Sequence, residues 1–154
     1  MKIVITGGAG FLGLRLARTL LAAGSLSING QPSRAITRLA LLDQVAPPAD
    51  LCADPRVQAH VVDLTALLRA PAAALQDAEV VFHLAAAVSA ECEADFDLGM
   101  RSNFSATHAL LEACRALRSQ PLVVFASSLA VFGQTLLLPL PELVTDTTLP
   151  TPQS

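Results

Sequence analysis

The chain of 154 residues contains no Tyr and no Trp, and only one Lys, Lys2. Charged residues make up 15% and the formal net charge is -3. A surface so poor in positive charge excludes a nucleic-acid partner. No apolar run is long enough to span a bilayer, so no membrane partner is expected. Lys2 leads straight into an apolar segment without the charged and apolar zones of a secretion signal, and a cytoplasmic location is expected. Cys52, Cys92 and Cys114 are too few and too widely spaced for a disulfide framework or a C-x-x-C site. They are expected as reduced thiols, with no metal centre.

What is present begins at the N-terminus. KIVIT, Lys2 to Thr6, is apolar and β-branched without clean alternation, as in a strand covered on both faces of a parallel sheet. GGAGFLG follows at once, placing Gly7, Gly10 and Gly13 in a G-x-x-G-x-x-G spacing. Apolar residues from Phe11 and Leu12 to Leu21 then recur with helical period to about Ala23, and Gly24 is a stop. Amides at a helix start lack internal partners and sit at the positive end of the dipole, so they suit a pyrophosphate. One glycine permits the turn, one lets a ligand approach, and one lets the helix lie against the strand. The competing role is a glycine-rich turn made for packing alone.

Residues 25–37 hold Asn29-Gly30 and Pro32 and read as a loop or small hairpin. RLALLD, Arg38 to Asp43, is the second strand. Asp43 follows Gly13 by 30 positions, against about 20 for the acid that binds the adenosine ribose in dinucleotide folds, so the hairpin is an insertion of about ten. An acid here followed by Gln44 favours NAD over NADP, because its charge repels a 2′-phosphate. Capping its own loop is the alternative. VQAHVV, Val57 to Val62, is the third strand and runs into Asp63-Leu64. Asp63 is placed either to accept from an adenine amino group or to cap a helix from Leu64 to Leu75, interrupted near Pro71. His60, inside the strand, is a core or edge histidine.

EVVFHL, Glu79 to Leu84, is the fourth strand, and Ala85 to Ala87 after it either keep a crevice floor open or serve close packing. Glu91 to about Leu117 has the period of one long helix. Asn103 within it is either exposed or ties the helix to a neighbouring loop. PLVVFA, Pro121 to Ala126, is the fifth strand. It ends in Ser127-Ser128, where the Ser128 hydroxyl either meets a substrate oxygen or caps a turn. Residues 136–154 are proline-punctuated and read as a loop. The expected architecture is a three-layer α/β Rossmann domain over residues 1–135, its parallel strands in the order 3-2-1-4-5.

TGGAGFLG, Asp43, Asp63-Leu64, HLAA at His83 to Ala86, Asn103 and FASSLAVFG from Phe125 to Gly133 together resemble the extended short-chain dehydrogenase/reductases, the NAD-dependent sugar epimerases and dehydratases. The resemblance implies that Gly7, Gly10, Phe11, Leu12 and Gly13 hold the pyrophosphate of NAD and Asp43 its ribose. It also implies that Asp63 and Leu64 meet adenine, that Leu84, Ala85 and Ala86 line the nicotinamide side, that Asn103 belongs to the cofactor site, and that Ser128 is the catalytic hydroxyl. AECEADFDLGMRSNFSATHALLEACR is similar to members that oxidise a hydroxyl of a small sugar acid to a 2-oxo acid. Sugar epimerase or dehydratase activity and a non-catalytic NAD-binding module are the alternatives. The family's general base is the Tyr of a Tyr-x-x-x-Lys motif, which is not found here, and TPQS resembles the segment before it. Phe132 stands where a non-catalytic Tyr is common. The chain is therefore expected to be the front part of an enzyme, inactive alone, whose full-length form pairs as a homodimer through the helix of Asn103.

Overall fold

A computed structural model describes residues 1–68, 73–135 and 137–152. Strand β1 is Lys2–Thr6, and helix α1 is Phe11–Ala23. The predicted hairpin forms from β2, Ser25–Leu26, and β3, Arg34–Ala35, paired antiparallel. Next come β4, Arg38–Asp43, the single turn α2, Ala49–Cys52, and β5, Val57–Val61. Strand β6 is Val80–His83, helices α3 and α4 are Ser89–Ala94 and Phe96–Gly99, α5 is Ala106–Ala116, and β7 is Leu122–Phe125.

The main sheet runs β5-β4-β1-β6-β7 with every pair parallel, which is the expected order. Side chains alternate across it, so β1 and β4 feed both faces. Val4, Ala40, Leu42 and Val81 pack with Leu64, Leu67 and Leu75 and with Ala109, Leu110 and Ala113 of α5. Ile3, Ile5, Leu39, Leu41 and Val80 pack on the other face with Ala17 and Leu20 of α1. A strand covered on both sides needs an unbroken apolar run, and that is why KIVIT and RLALLD read as they do. Gly24 ends α1 in the left-handed conformation at φ 69°, its N–H donating to Leu20 O.

Two expected helices take another form. The stretch from Leu64 to Leu75 contains 3-10 turns at Leu64–Leu68 and Ala73–Leu75, and the expected break at Pro71 lies outside the described residues. The long helix to Leu117 starts earlier, at Ser89, and is interrupted at Asp95, whose extended backbone leaves α3 while its carboxylate accepts from Leu98 N–H at 2.9 Å to start α4. A π-helical turn, Met100–Ser105, joins α4 to α5. Hydrophobic period survives such a break because α3 and α4 still pack together: a Cβ on Gly99 would lie 3.0 Å from Cys92 Cβ. Beyond β7 the chain makes a 3-10 turn at Leu129–Val131 and then no strand or helix among the described residues, as expected for a loop. Gln153 and Ser154 of TPQS lie outside the described residues.

Buried histidines give the fold a pH response. His83 is 1% exposed, and burial lowers its pKa from 6.5. His60 is lowered by burial and then by the charge of Lys2, and its Nε2 is buried without a partner among the described residues. Both therefore resist protonation when folded, whereas the unfolded chain takes up their protons below 6.5. The unfolded state then binds more protons, so stability is lost as pH falls from 6.5 toward the lowered folded values. His83 accounts for up to about 1.4 kcal/mol per pH unit in that window, and the only partly buried His60 for less after solvent screening. Urea melts at about pH 7.5 and about pH 5.5 should show the lower midpoint at the acid value. Equal midpoints would remove both histidines from the stability account.

Candidate functional site

The carboxyl ends of β1, β4 and β6 open on a crevice of about 680 Å³. Gly7 turns the chain out of β1 at φ 69°, and a Cβ there would lie 2.8 Å from Ala85 N. Gly13 lies inside α1 against that turn, where a Cβ would stand 2.0 Å from Gly7 O. Gly10 is the N-cap of α1 and has no side-chain cap, and the first turn carries no acid. The leading amides of α1 thus face the crevice without internal partners. Gly7, Gly10 and Gly13 line it together with Phe11 and Leu12, which are 80% and 58% exposed.

Asp43 ends β4 beside this turn. Its Oδ2 accepts from Ala9 N–H at 2.9 Å, and its Oδ1 accepts from Gln44 N–H at 2.7 Å and Val45 N–H at 3.3 Å. Loop capping is therefore a role that this carboxylate performs, and one further acceptor direction remains on Oδ2. Asp63 Oδ1 accepts from Thr65 N–H at 2.9 Å and from the Thr65 hydroxyl at 2.8 Å, so it caps the following turn, and no bond is made to Oδ2 among the described residues. Asp63 and Leu64 line the crevice on one side and Leu84, Ala85 and Ala86 on the other.

Asn103 does not line the crevice but ties the helix to the loop after β6: Ala87 N–H donates to its Oδ1 at 2.8 Å, and its Nδ2 donates to Ala87 O at 3.0 Å. Ser128 is likewise outside the lining and exposed, its Oγ accepting from Ala130 N–H at 3.1 Å as the cap of the turn after β7. Its hydroxyl proton is left free to donate.

Several lining residues carried no signal in the sequence. Glu91 faces the crevice while its carboxylate accepts from Val88 N–H at 3.1 Å, closing the first turn of α3. Among the described residues Arg101, on the π-helical turn, is the one basic residue in the lining, and Asp95 approaches it only to 3.8 Å. A lone Arg between Met100 and Ser102 has no motif, and only the turn brings it to the crevice. Gly8 is also required, since a Cβ there would lie 2.8 Å from Leu41 Cβ. Among the described residues no group of three His, Cys, Asp or Glu could hold a metal, and no helix is long and apolar enough to cross a membrane.

A parallel sheet with helices on both faces, a glycine turn opening a helix, and an acid at the end of the neighbouring strand define the dinucleotide-binding class of α/β proteins. Within it, the chain belongs to the NAD dependent epimerase/dehydratase family, which matches residues 3–154. It is 54% identical over 156 residues to D-erythronate dehydrogenase of Cupriavidus necator, covering 100% of this chain and 45% of that protein. The chain thus spans less than half the length of this curated relative. A nucleoside-diphosphate-sugar epimerase from Agrobacterium tumefaciens superposes with a TM-score of 0.75 at 36% identity, over 99% of this chain and 43% of that one. MoeE5 in complex with UDP-glucose and NAD gives a TM-score of 0.70 at 26% identity, over 99% and 43%.

Proposed function

We propose that these residues form the NAD-binding part of a dehydrogenase that oxidises D-erythronate to its 2-oxo acid. The observation that carries the NAD assignment is the cradle itself. Gly7 and Gly13 leave no room for a Cβ, the first amides of α1 are uncapped, and the crevice beside them is long enough to reach from Asp63 to Ala87. In this proposal the pyrophosphate sits on Gly10, Phe11, Leu12 and Gly13, the ribose on Asp43, and adenine against Asp63 Oδ2 and Leu64. Leu84 to Ala86 wall the nicotinamide side. Arg101 supplies the positive charge that a pyrophosphate needs in a crevice also lined by Asp43, Asp63 and Glu91. Asn103 acts through the loop it holds.

When bound, NAD supplies the hydride acceptor. Ser128 supplies a hydroxyl for the substrate oxygen, while the family's Tyr-x-x-x-Lys pair has no counterpart among these residues. The substrate assignment is supported by the identity to the D-erythronate dehydrogenase, and epimerase or dehydratase activity is the competing reading. Pairing as a homodimer is supported by the exposed Phe96, Met100, Phe104 and Leu111 along the α4 to α5 stretch. A cytoplasmic location is supported by the free thiols of Cys52, Cys92 and Cys114, and a carbohydrate-metabolising role by the identity to the D-erythronate dehydrogenase.

Calorimetric titration with NAD and NADP tests the cofactor, and NAD should bind more tightly. Equal affinities, or none for NAD, would overturn the assignment. Ser128→Ala, made in a longer chain that carries a Tyr-x-x-x-Lys, should lower kcat on D-erythronate by about two powers of ten with cofactor affinity changed less than about twofold. An unchanged kcat would return Ser128 to a turn cap.

A further inference from the structure

His83 ends β6 beside Thr6 of β1, and both are buried. Thr6 Oγ1 lies 2.6 Å from His83 Nδ1, and Thr107 Oγ1 of α5 lies 2.8 Å from His83 Nε2. The Thr107 hydroxyl already donates to Asn103 O at 2.6 Å. A hydroxyl has one proton, so Thr107 accepts from His83, and the imidazole carries its proton on Nε2. Nδ1 is then a lone pair that takes the Thr6 hydroxyl proton. Thr6 Oγ1 in turn accepts from Leu84 N–H at 3.3 Å and Ala85 N–H at 3.4 Å.

The bonds thus form one directed chain from the Leu84 and Ala85 amides through Thr6, His83 and Thr107 to the backbone of Asn103. The Asn103 side chain then grips Ala87 at both its N–H and its C=O. Residues 84–88 form one wall of the crevice, and this chain holds the loop at both ends. The ring has no freedom to choose another tautomer, because every hydroxyl along the chain has its proton committed. Phe125 packs on it with ring centroids 5.5 Å apart, which fixes the ring plane.

We infer that His83, as its neutral Nε2–H tautomer, is a positioning residue that sets the register of the wall at residues 84–88 and thereby the affinity for the nicotinamide half of a dinucleotide. The inference rests on the NAD-binding proposal for its ligand, but the tautomer and the hold on the loop belong to the ligand-free protein.

Long-range nitrogen–proton NMR of the ligand-free protein at pH 7 should show His83 neutral with its proton on Nε2. A charged ring or an Nδ1–H tautomer would overturn the proposal. Thr107→Val keeps the shape of the side chain but removes both the acceptor for Nε2–H and the donor to Asn103 O. Amide exchange at Ala85 and Ala87 should then quicken by about tenfold, and Thr107→Ser should restore it. Exchange that stays unchanged in Thr107→Val would overturn the hold on the loop. In calorimetry Thr107→Val should weaken NAD by about tenfold and AMP by less than twofold, because AMP carries only the adenine half. A parallel loss for both ligands would mark a merely structural role and overturn the positioning claim. If the unmutated chain bound neither ligand, the NAD-binding proposal would fall, while the tautomer and the exchange rates would still decide the role of His83.

Discussion

Gly13→Ala should cost about 3 kcal/mol of stability and weaken NAD binding on the order of a hundredfold. The new methyl would stand 2.0 Å from Gly7 O and 2.9 Å from Gly7 C and Gly8 Cα, all of them backbone atoms with no rotamer to yield. Either α1 moves away from the end of β1 or the turn opens, and both displace the amides that face the crevice. Gly24→Ala is the control. It meets nothing within 4 Å, although φ is 69°, so it should cost about 1 kcal/mol through backbone strain and leave binding unchanged. Denaturant melts and calorimetry on the two variants separate these effects. A Gly13→Ala protein that melts and binds like the unmutated one would show that the close approach of α1 is not needed.

Asp43→Ala should weaken NAD by ten- to a hundredfold and narrow the preference over NADP. The carboxylate does two things that the substitution separates. It accepts from the amides of Ala9, Gln44 and Val45, which holds the glycine turn against the end of β4, and hydrogen bonds to a charged group contribute roughly 1.5 to 3 kcal/mol each. In our proposal it also takes the ribose hydroxyls, and its charge repels a 2′-phosphate. If only the turn mattered, NAD and NADP would lose affinity in equal proportion. Removal of the repulsion should instead leave NADP less affected than NAD. An unchanged NAD to NADP ratio in the variant would confine Asp43 to its loop.

Much of this architecture is legible in the sequence. KIVIT and RLALLD announce buried parallel strands because their apolar runs are unbroken, and GGAGFLG announces a turn into a helix because few other sequences tolerate that geometry. The hairpin before β4 was visible from Asn29-Gly30 and Pro32, local signals that act over a few residues. Less visible was the break at Asp95. An Asp inside a helical period and an Asp that caps a new helix look alike in sequence, and only the bond from Leu98 N–H distinguishes them. The 3-10 turns at Leu64–Leu68 and Ala73–Leu75 were equally hidden, since their apolar residues satisfy either period.

The sequence by itself determined the strand at Lys2–Thr6, the glycine turn, the acid at the end of the second long strand, and through them the class of ligand, because each depends on residues close together in the chain. Tertiary structure decided what the polar residues do. Thr6 meets His83 across 77 positions and His83 meets Thr107 across 24, and Arg101 reaches the crevice only through the π-helical turn. Hydrogen bonds and charges act over a few ångströms in space, and separation along the chain carries no record of which distant side chains the fold will bring within that reach.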